Sequence, residues 1–220
     1  MNITSFFRNN GKYISGISIS KTLWFNIRYF GLKRGLLCPV WIHRNVRINN
    51  AKGKIEIKKF QAGIVKIGWK MMENFSRKTV WNVNGGVVQF NGYAGLGAGT
   101  QIINHGVLTF GDGFAITGNT DVICYKQIEF GDETLVSWDC LIMDHDYHKL
   151  TDYKGNRNID LPIKIGNHVW IGTRNLILHG VVIGDDCVLA ANSTVTCKHS
   201  QDNLLIVGNR VLKENITWEI

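Results

Sequence analysis

The chain has 220 residues, 45% of them apolar and 19% charged, which excludes a disordered or low-complexity polypeptide and leaves room for one domain with a sizeable core. Its net charge of +8 is confined to one end: residues 1–60 hold twelve Lys or Arg and one acid, Glu56, a sum of +11, so the other 160 residues sum to −3. Five cysteines without a C-x-x-C pair argue against a disulfide framework or a zinc clip and for a reducing cytoplasm, and no apolar run reaches the ~18 residues of a spanning helix.

Residues 1–39 read as a basic, aromatic cap segment. Within it "KTLWFNIRYFGLKRGLL" (21–37) interleaves aromatic and cationic side chains, as an interfacial segment does at an anionic membrane, here the inner face. The alternative is a short helix that packs its aromatics on the domain and keeps its cations in water. Nucleic acid is not expected as a partner, because no recognised binding motif accompanies the charge.

Residues 40–220 read as a second unit. "VWIHRNVRI" (40–48), "IEI" (55–57) and "IVKIG" (64–68) are strand-like with irregular connections. From residue 90 a strict beat of six takes over: Phe90, Leu96, Ile102; Phe110, Ile116, Val122; Phe130, Val136, Ile142; then, uninterrupted, Ile165, Ile171, Ile177, Ile183, Leu189 and Val195. A period of six fits neither a helix nor a simple alternating strand. Three sixes fit one turn of a triangular coil, each side a short strand with one apolar residue inward, each corner a Gly, Asn or Asp able to adopt positive φ. Asn91-Gly92, Gly111-Asp112, Gly131-Asp132, Gly166-Asn167 and Gly184-Asp185 recur at one corner, and the upstream triplets restart after eight residues, which predicts bulged corners. Stacked coils share one interior and pair in parallel, and an N-terminal cap suits the open end of such a stack. The last coil is expected to end near "LLIVGNRVLKENI" (204–216).

The beat stops for 22 residues between Ile142 and Ile165, and the gap opens on "MDHDYHKL", with Asp144, His145, Asp146 and His148. A long aperiodic loop inside a regular solenoid, 143–164, that begins with the chain's densest titratable group points to function.

The hexapeptide beat, the loop opening with D-H-x-x-H and "PIKIGNHVWIGTRNLILHGVVIGDDCVLAANSTVT" together resemble the left-handed β-helix acyltransferases, in particular the O-acetyltransferases of galactosides, maltose and bacterial polysaccharides. The resemblance is strongest over 110–213. It implies an all-β, left-handed parallel β-helix assembled as a homotrimer, with each active site between two helices, acetyl-CoA as acyl donor, a saccharide acceptor in surface polysaccharide or glycan biosynthesis, and no metal. It makes His145 the general base, a role that suits an imidazole whose ordinary pKa of about 6.5 leaves it mostly neutral at pH 7. Asp144, Asp146 or an acid from elsewhere would fix its tautomer, and His148 would support it or face the substrate. Gly172-Thr173 occupies the position whose backbone N–H meets the thioester oxyanion; Trp170, Ala191 and Ser193 line the pantetheine groove; Lys198, Arg210 and Lys213 meet the CoA phosphates.

Three departures accompany the resemblance. Cys197 stands where a lysine is common, with Lys198 one place later; the turn before the terminal cations is shortened to "VGNRV"; and Thr117 stands where the galactoside enzymes hold their acceptor with asparagine. The alternatives are N-acetylation of an amino sugar, serine-type O-acetylation, a metal-dependent carbonic-anhydrase-like β-helix that would need His105, and a non-catalytic scaffold.

Overall fold

The computed structural model describes residues 13, 15–70, 77–149, 151–155 and 160–219. The six-residue beat becomes a three-sided parallel β-helix whose described residues form one sheet of nine strands, one of seven and one of six. Every residue of the beat is at most 2% exposed. Each beat position also forms a straight column through the stack. Phe90, Phe110, Phe130, Ile165 and Ile183 pair in register in the six-stranded sheet. Ile67, Leu96, Ile116, Val136, Ile171, Leu189 and Ile206 do so in the nine-stranded sheet. Trp81, Ile102, Val122, Ile142, Ile177 and Val195 do so in the seven-stranded sheet. The interior is therefore a set of like-on-like contacts, with the Phe110 ring stacked between Phe90 and Phe130 at 5.3 and 5.7 Å.

One corner shows why Gly-Asp and Gly-Asn recur. The side-chain oxygen of each Asx accepts the backbone N–H of the Asx one coil earlier: Asp132 from Asp112 at 2.7 Å, Asn167 from Asp132 at 2.9 Å, Asp185 from Asn167 at 2.7 Å. The glycine beside it admits the next coil, since a Cβ on Gly131 would lie 2.5 Å from the Gly166 carbonyl carbon. Positive φ occurs at corners of the coil at Asn119, Asp139, Asp186, Asn192 and Asn203 as expected, but also at Glu133, His168 and Arg174. The expected bulges are absent from the eight-residue restarts. There the strands Gln101–Asn104 and Val107–Phe110 are four residues long, in unbroken register, where the later Leu176–Ile177 and Val182–Ile183 have two. The extra residues lengthen two sides of the triangle.

The first coil is capped by α1, the helix Ile19–Gly35, interrupted at Gly31 (φ 72°, ψ 170°). The exposed edge of the strand Val40–Ile42 is closed by side chains of α1. Asn26 donates to the Val40 carbonyl at 2.7 Å and accepts from the Val40 N–H at 3.0 Å, while the Thr22 hydroxyl accepts from the Ile42 N–H at 3.1 Å. Asn26→Ala orphans two buried backbone groups and should cost about 2–4 kcal/mol, read as a fall in the urea unfolding midpoint; an unchanged midpoint would show that water replaces the amide. At the other end the strand Leu205–Val207 continues the parallel order, and Arg210–Lys213 turns back antiparallel on it, ending the stack with a hairpin. The strand Thr79–Val83 escaped the sequence reading.

Candidate active site

The corner between the seven- and six-stranded sheets carries a column of rings twenty residues apart. His105 stacks on Tyr125 at 4.4 Å and Tyr125 on His145 at 4.3 Å, and Tyr147 meets both Tyr125 and His145 edge-on. The excursion loop leaves the helix at this corner. His145, Tyr147, His148 and Lys149 from its start, Asp160 from its return and Tyr125 and Lys126 from the coil below surround a hollow of ≈ 510 Å³. Lys126 holds the returning limb by donating to the Asp160 carbonyl at 2.9 Å.

His145 Nδ1 lies 2.8 Å from Asp160 Oδ1, within ion-pairing distance but out of line for a hydrogen bond. The acid beside the imidazole thus comes from the far end of the loop. Asp146 faces elsewhere, with its carboxylate 3.4 Å from His179 Nε2. Burial, and then a hydrogen bond with the Tyr125 side chain that favours the neutral phenol, push Tyr147 up to about 12, so it stays protonated.

Asp144, named beside His145 from the sequence, is wholly buried and turned inward. Its Oδ1 accepts from the Tyr125 N–H at 2.7 Å, and its Oδ2 accepts from the N–H groups of Lys126 and Gln127 at 2.9 and 2.7 Å. One coil earlier, the equivalent N–H groups of His105, Gly106 and Val107 bond to carbonyls of Cys124 and Lys126. Where the chain departs into the loop those carbonyls are missing, and the Asp144 carboxylate takes their place. It is a backbone plug, and its oxygens are committed away from His145.

The residues carried over for the cofactor occupy a different corner, between the nine- and seven-stranded sheets. Trp170, 39% exposed, donates its indole N–H to the Ser137 hydroxyl at 3.2 Å and tilts against Trp218 of the C-terminal tail. The Gly172 N–H is used by the coil, donating to the Leu189 carbonyl at 2.8 Å, whereas the Thr173 N–H has no partner among the described residues. Of the two, Thr173 is the one that keeps a free donor. Ala191 lies exposed one coil beyond, against Gly172. Ser193 is buried, its hydroxyl accepting the Gly208 N–H at 2.9 Å, so it faces the interior. Arg210 and Lys213 are exposed at opposite ends of one strand, with only Arg210 beside the Thr173–Ala191 corner, and Lys198 sits at the third turn with the His145 corner. In a single chain the His145 hollow and the Thr173 corner are separated by the full width of the seven-stranded sheet.

His105 and His145 are held apart by the Tyr125 ring, so these imidazoles do not converge on one point. Among the described residues, no three His, Cys, Asp or Glu side chains are grouped to hold a metal. None of the described helices is long and apolar enough to cross a membrane.

Comparison with known proteins agrees with this architecture. The family model "Bacterial transferase hexapeptide (six repeats)" matches residues 162–197. The galactoside O-acetyltransferase of Escherichia coli (strain K12) is 41% identical over 70 residues, 31% of this chain; the chain thus spans about a third of that relative's length (33%). The crystal structure of the polySia specific acetyltransferase NeuO superposes with a TM-score of 0.64 at 20% identity, over 80% of this chain and 72% of that one. That of the polysialic acid O-acetyltransferase OatWY covers 80% and 88% with a TM-score of 0.45 at 19% identity. The likeness to hexapeptide-repeat acetyltransferases expected from the sequence is borne out in the repeat and in the all-β parallel β-helix.

Proposed function

We propose that the protein is an acetyl-CoA-dependent acetyltransferase that esterifies a saccharide hydroxyl, with His145 as general base. The observation that carries this reading is an imidazole with a carboxylate 2.8 Å from Nδ1 and no partner on Nε2 among the described residues, set in an open hollow on a hexapeptide-repeat helix. Asp160 favours the tautomer with the proton on Nδ1, which leaves the Nε2 lone pair for the substrate. The acceptor hydroxyl gives its proton to Nε2 as its oxygen attacks the thioester carbonyl carbon. The tetrahedral intermediate then expels the CoA thiolate, which takes the same proton back from the imidazolium. The products are an acetyl ester and free CoA, without an acetyl-enzyme. Thr173 N–H is the donor offered to the oxyanion, Trp170 and Ala191 line the thioester arm, and Arg210 serves a CoA phosphate.

These groups meet only if a second copy brings its Thr173 corner to the His145 hollow. The face between the two corners supports such an assembly, in keeping with the trimer the resemblance implies. Outward positions of the seven-stranded sheet carry half-buried Ile103, Ile123, Leu141, Met143 and Leu176 beside Gln101 and Asp121, where those of the six-stranded sheet are more polar, with Glu56, Gln89, Thr109, Glu129 and Lys164 beside Val87, Val107 and Val182. An apolar outer face on a solenoid is exposed at a cost in solubility unless another chain covers it. The five cysteines are free thiols, which suits a cytoplasmic enzyme.

Arg210→Ala should raise the KM for acetyl-CoA with kcat nearly unchanged; an unaltered KM removes Arg210 from the site. The chemistry is tested by incubating the protein with acetyl-CoA and a panel of neutral, acidic and amino sugars and reading acetylated products by mass spectrometry before and after hydroxylamine. A hydroxylamine-labile product is the ester expected here. A stable product made only from amino sugars would replace O-acetylation by N-acetylation.

A further inference from the structure

Between α1 and the first strand of the seven-stranded sheet, Val46–Ala51, lies a recess of ≈ 410 Å³ remote from the His145 hollow. Four cations line it, Lys21, Arg44, Arg47 and Lys78, with no acid among its lining residues. Two of them are fixed by backbone: Lys21 Nζ donates to the Arg44 and Val46 carbonyls at 2.8 and 2.7 Å, and the Arg44 guanidinium donates to the Ser15 carbonyl at 2.6 Å. Arg47 and Lys78 are exposed and form no ion pair among the described residues. Trp24, 51% exposed, offers a flat apolar ring at the same recess, and Ile48 contributes aliphatic surface. Fixed cations in a concavity concentrate field and have already lost part of the entropy that a ligand would otherwise have to remove.

We propose that this recess binds an acidic segment of a glycan chain, carboxylate- or phosphate-bearing, and so holds an extended acceptor by a part distant from the reacting hydroxyl. The position supports this. Counting strands from Val46–Ala51 to Leu141–Met143, which leads into His145, gives four spacings of ~4.8 Å, about 19 Å along the stack, to which the width of the sheet adds because the recess lies at its Val46 edge and His145 beyond Met143. One sugar ring cannot touch both places, and a chain of several can. A bilayer is the other large anion that a basic cap could meet. Of the exposed apolar residues it would need, Ile19 and Trp24 lie at the recess end of α1, but Leu32, Leu36 and Leu37 lie beyond the Gly31 kink at the other end, away from the unpaired cations of the recess. What the recess does for the enzyme rests on the acetyltransferase reading; the binding itself does not.

The test is titration calorimetry of the full chain with a sialic acid pentamer, with maltopentaose as neutral control and with phosphatidylglycerol–phosphatidylcholine vesicles, at low salt. The pentamer should bind at least tenfold more tightly than maltopentaose and weaken steeply with added salt. Arg47→Ser with Lys78→Ser, which breaks no side-chain hydrogen bond or ion pair among the described residues, should lose at least tenfold in pentamer affinity, and Trp24→Ala several-fold. Pentamer binding unchanged in the double variant would overturn the proposal. So would vesicle binding that the double variant abolishes while pentamer and maltopentaose bind alike, which would assign the recess to lipid headgroups. Pentamer binding as expected, with no acetyl transfer to any sugar, would retain the recess and remove the enzymatic reading.

Discussion

His145→Ala should lower kcat by at least two to four orders of magnitude while leaving the affinity for CoA nearly unchanged. The size follows from what a positioned general base supplies, about 10²- to 10⁴-fold. The separation follows from geometry, since the CoA-side residues Trp170, Thr173 and Ala191 sit on another corner of the coil and share no hydrogen bond with the His145 ring. The surroundings of His145 set what intermediate variants should do. Asp160→Asn keeps the shape near Nδ1 and removes the charge that stabilises the imidazolium, so kcat should fall less than in His145→Ala and the loss should be greatest where the imidazolium forms. Tyr125→Leu leaves Asp160 in place but removes the ring that holds the imidazole plane at 4.3 Å, and should reduce kcat with little effect on the KM for acetyl-CoA. Loss of CoA binding in His145→Ala, with kcat preserved at saturation, would make the histidine a structural member of the ring column.

Asp144→Ala should destabilise the fold by about 3–5 kcal/mol. Its carboxylate is the acceptor for three consecutive backbone N–H groups at a buried corner, and each orphaned donor costs about 1–3 kcal/mol. Asparagine should not restore stability. Placing its amide nitrogen at Oδ2 sets a donor against the N–H groups of Lys126 and Gln127, and flipping it sets the donor against Tyr125. Urea unfolding of Asp144→Ala, Asp144→Asn and His145→Ala side by side gives the comparison: the first two should fall and the third should stay near wild type. An Asp144→Ala protein of wild-type stability that lacks kcat would return this aspartate to the catalytic group and contradict its part as a plug.

The fold was legible in the sequence because the interior is filled by one residue per side. Phe110 and its two stacking partners, or the run from Ile165 to Val195, report the geometry without any need for long-range pairing. The irregular coils were harder for the converse reason. Thr79–Val83 is a strand because Trp81 fits between Ile48 and Ile102, a register that no local beat announces. The loop stood out as a break in the beat, and His145 within it. Its partners did not, since Asp160 comes to the ring only after the loop has returned to the helix. Tyr125 had a signal that went unused: twenty residues is one long coil, so His105, Tyr125 and His145 had to share a column. Asp144 misled for an instructive reason. Beside a histidine, a carboxylate suggests proton chemistry, but alternation along the strand Leu141–Met143 puts residues 142 and 144 inside, and an aspartate inside at a departing corner has backbone to satisfy.

The central claim is transfer from acetyl-CoA to a hydroxyl by direct attack, and free thiol released by the wild-type protein, with and without saccharide, tests it most directly. The account predicts release that depends on an acceptor, rises with its concentration and is indifferent to a chelator. Release at the same rate without any acceptor, or release abolished by the chelator, would contradict it.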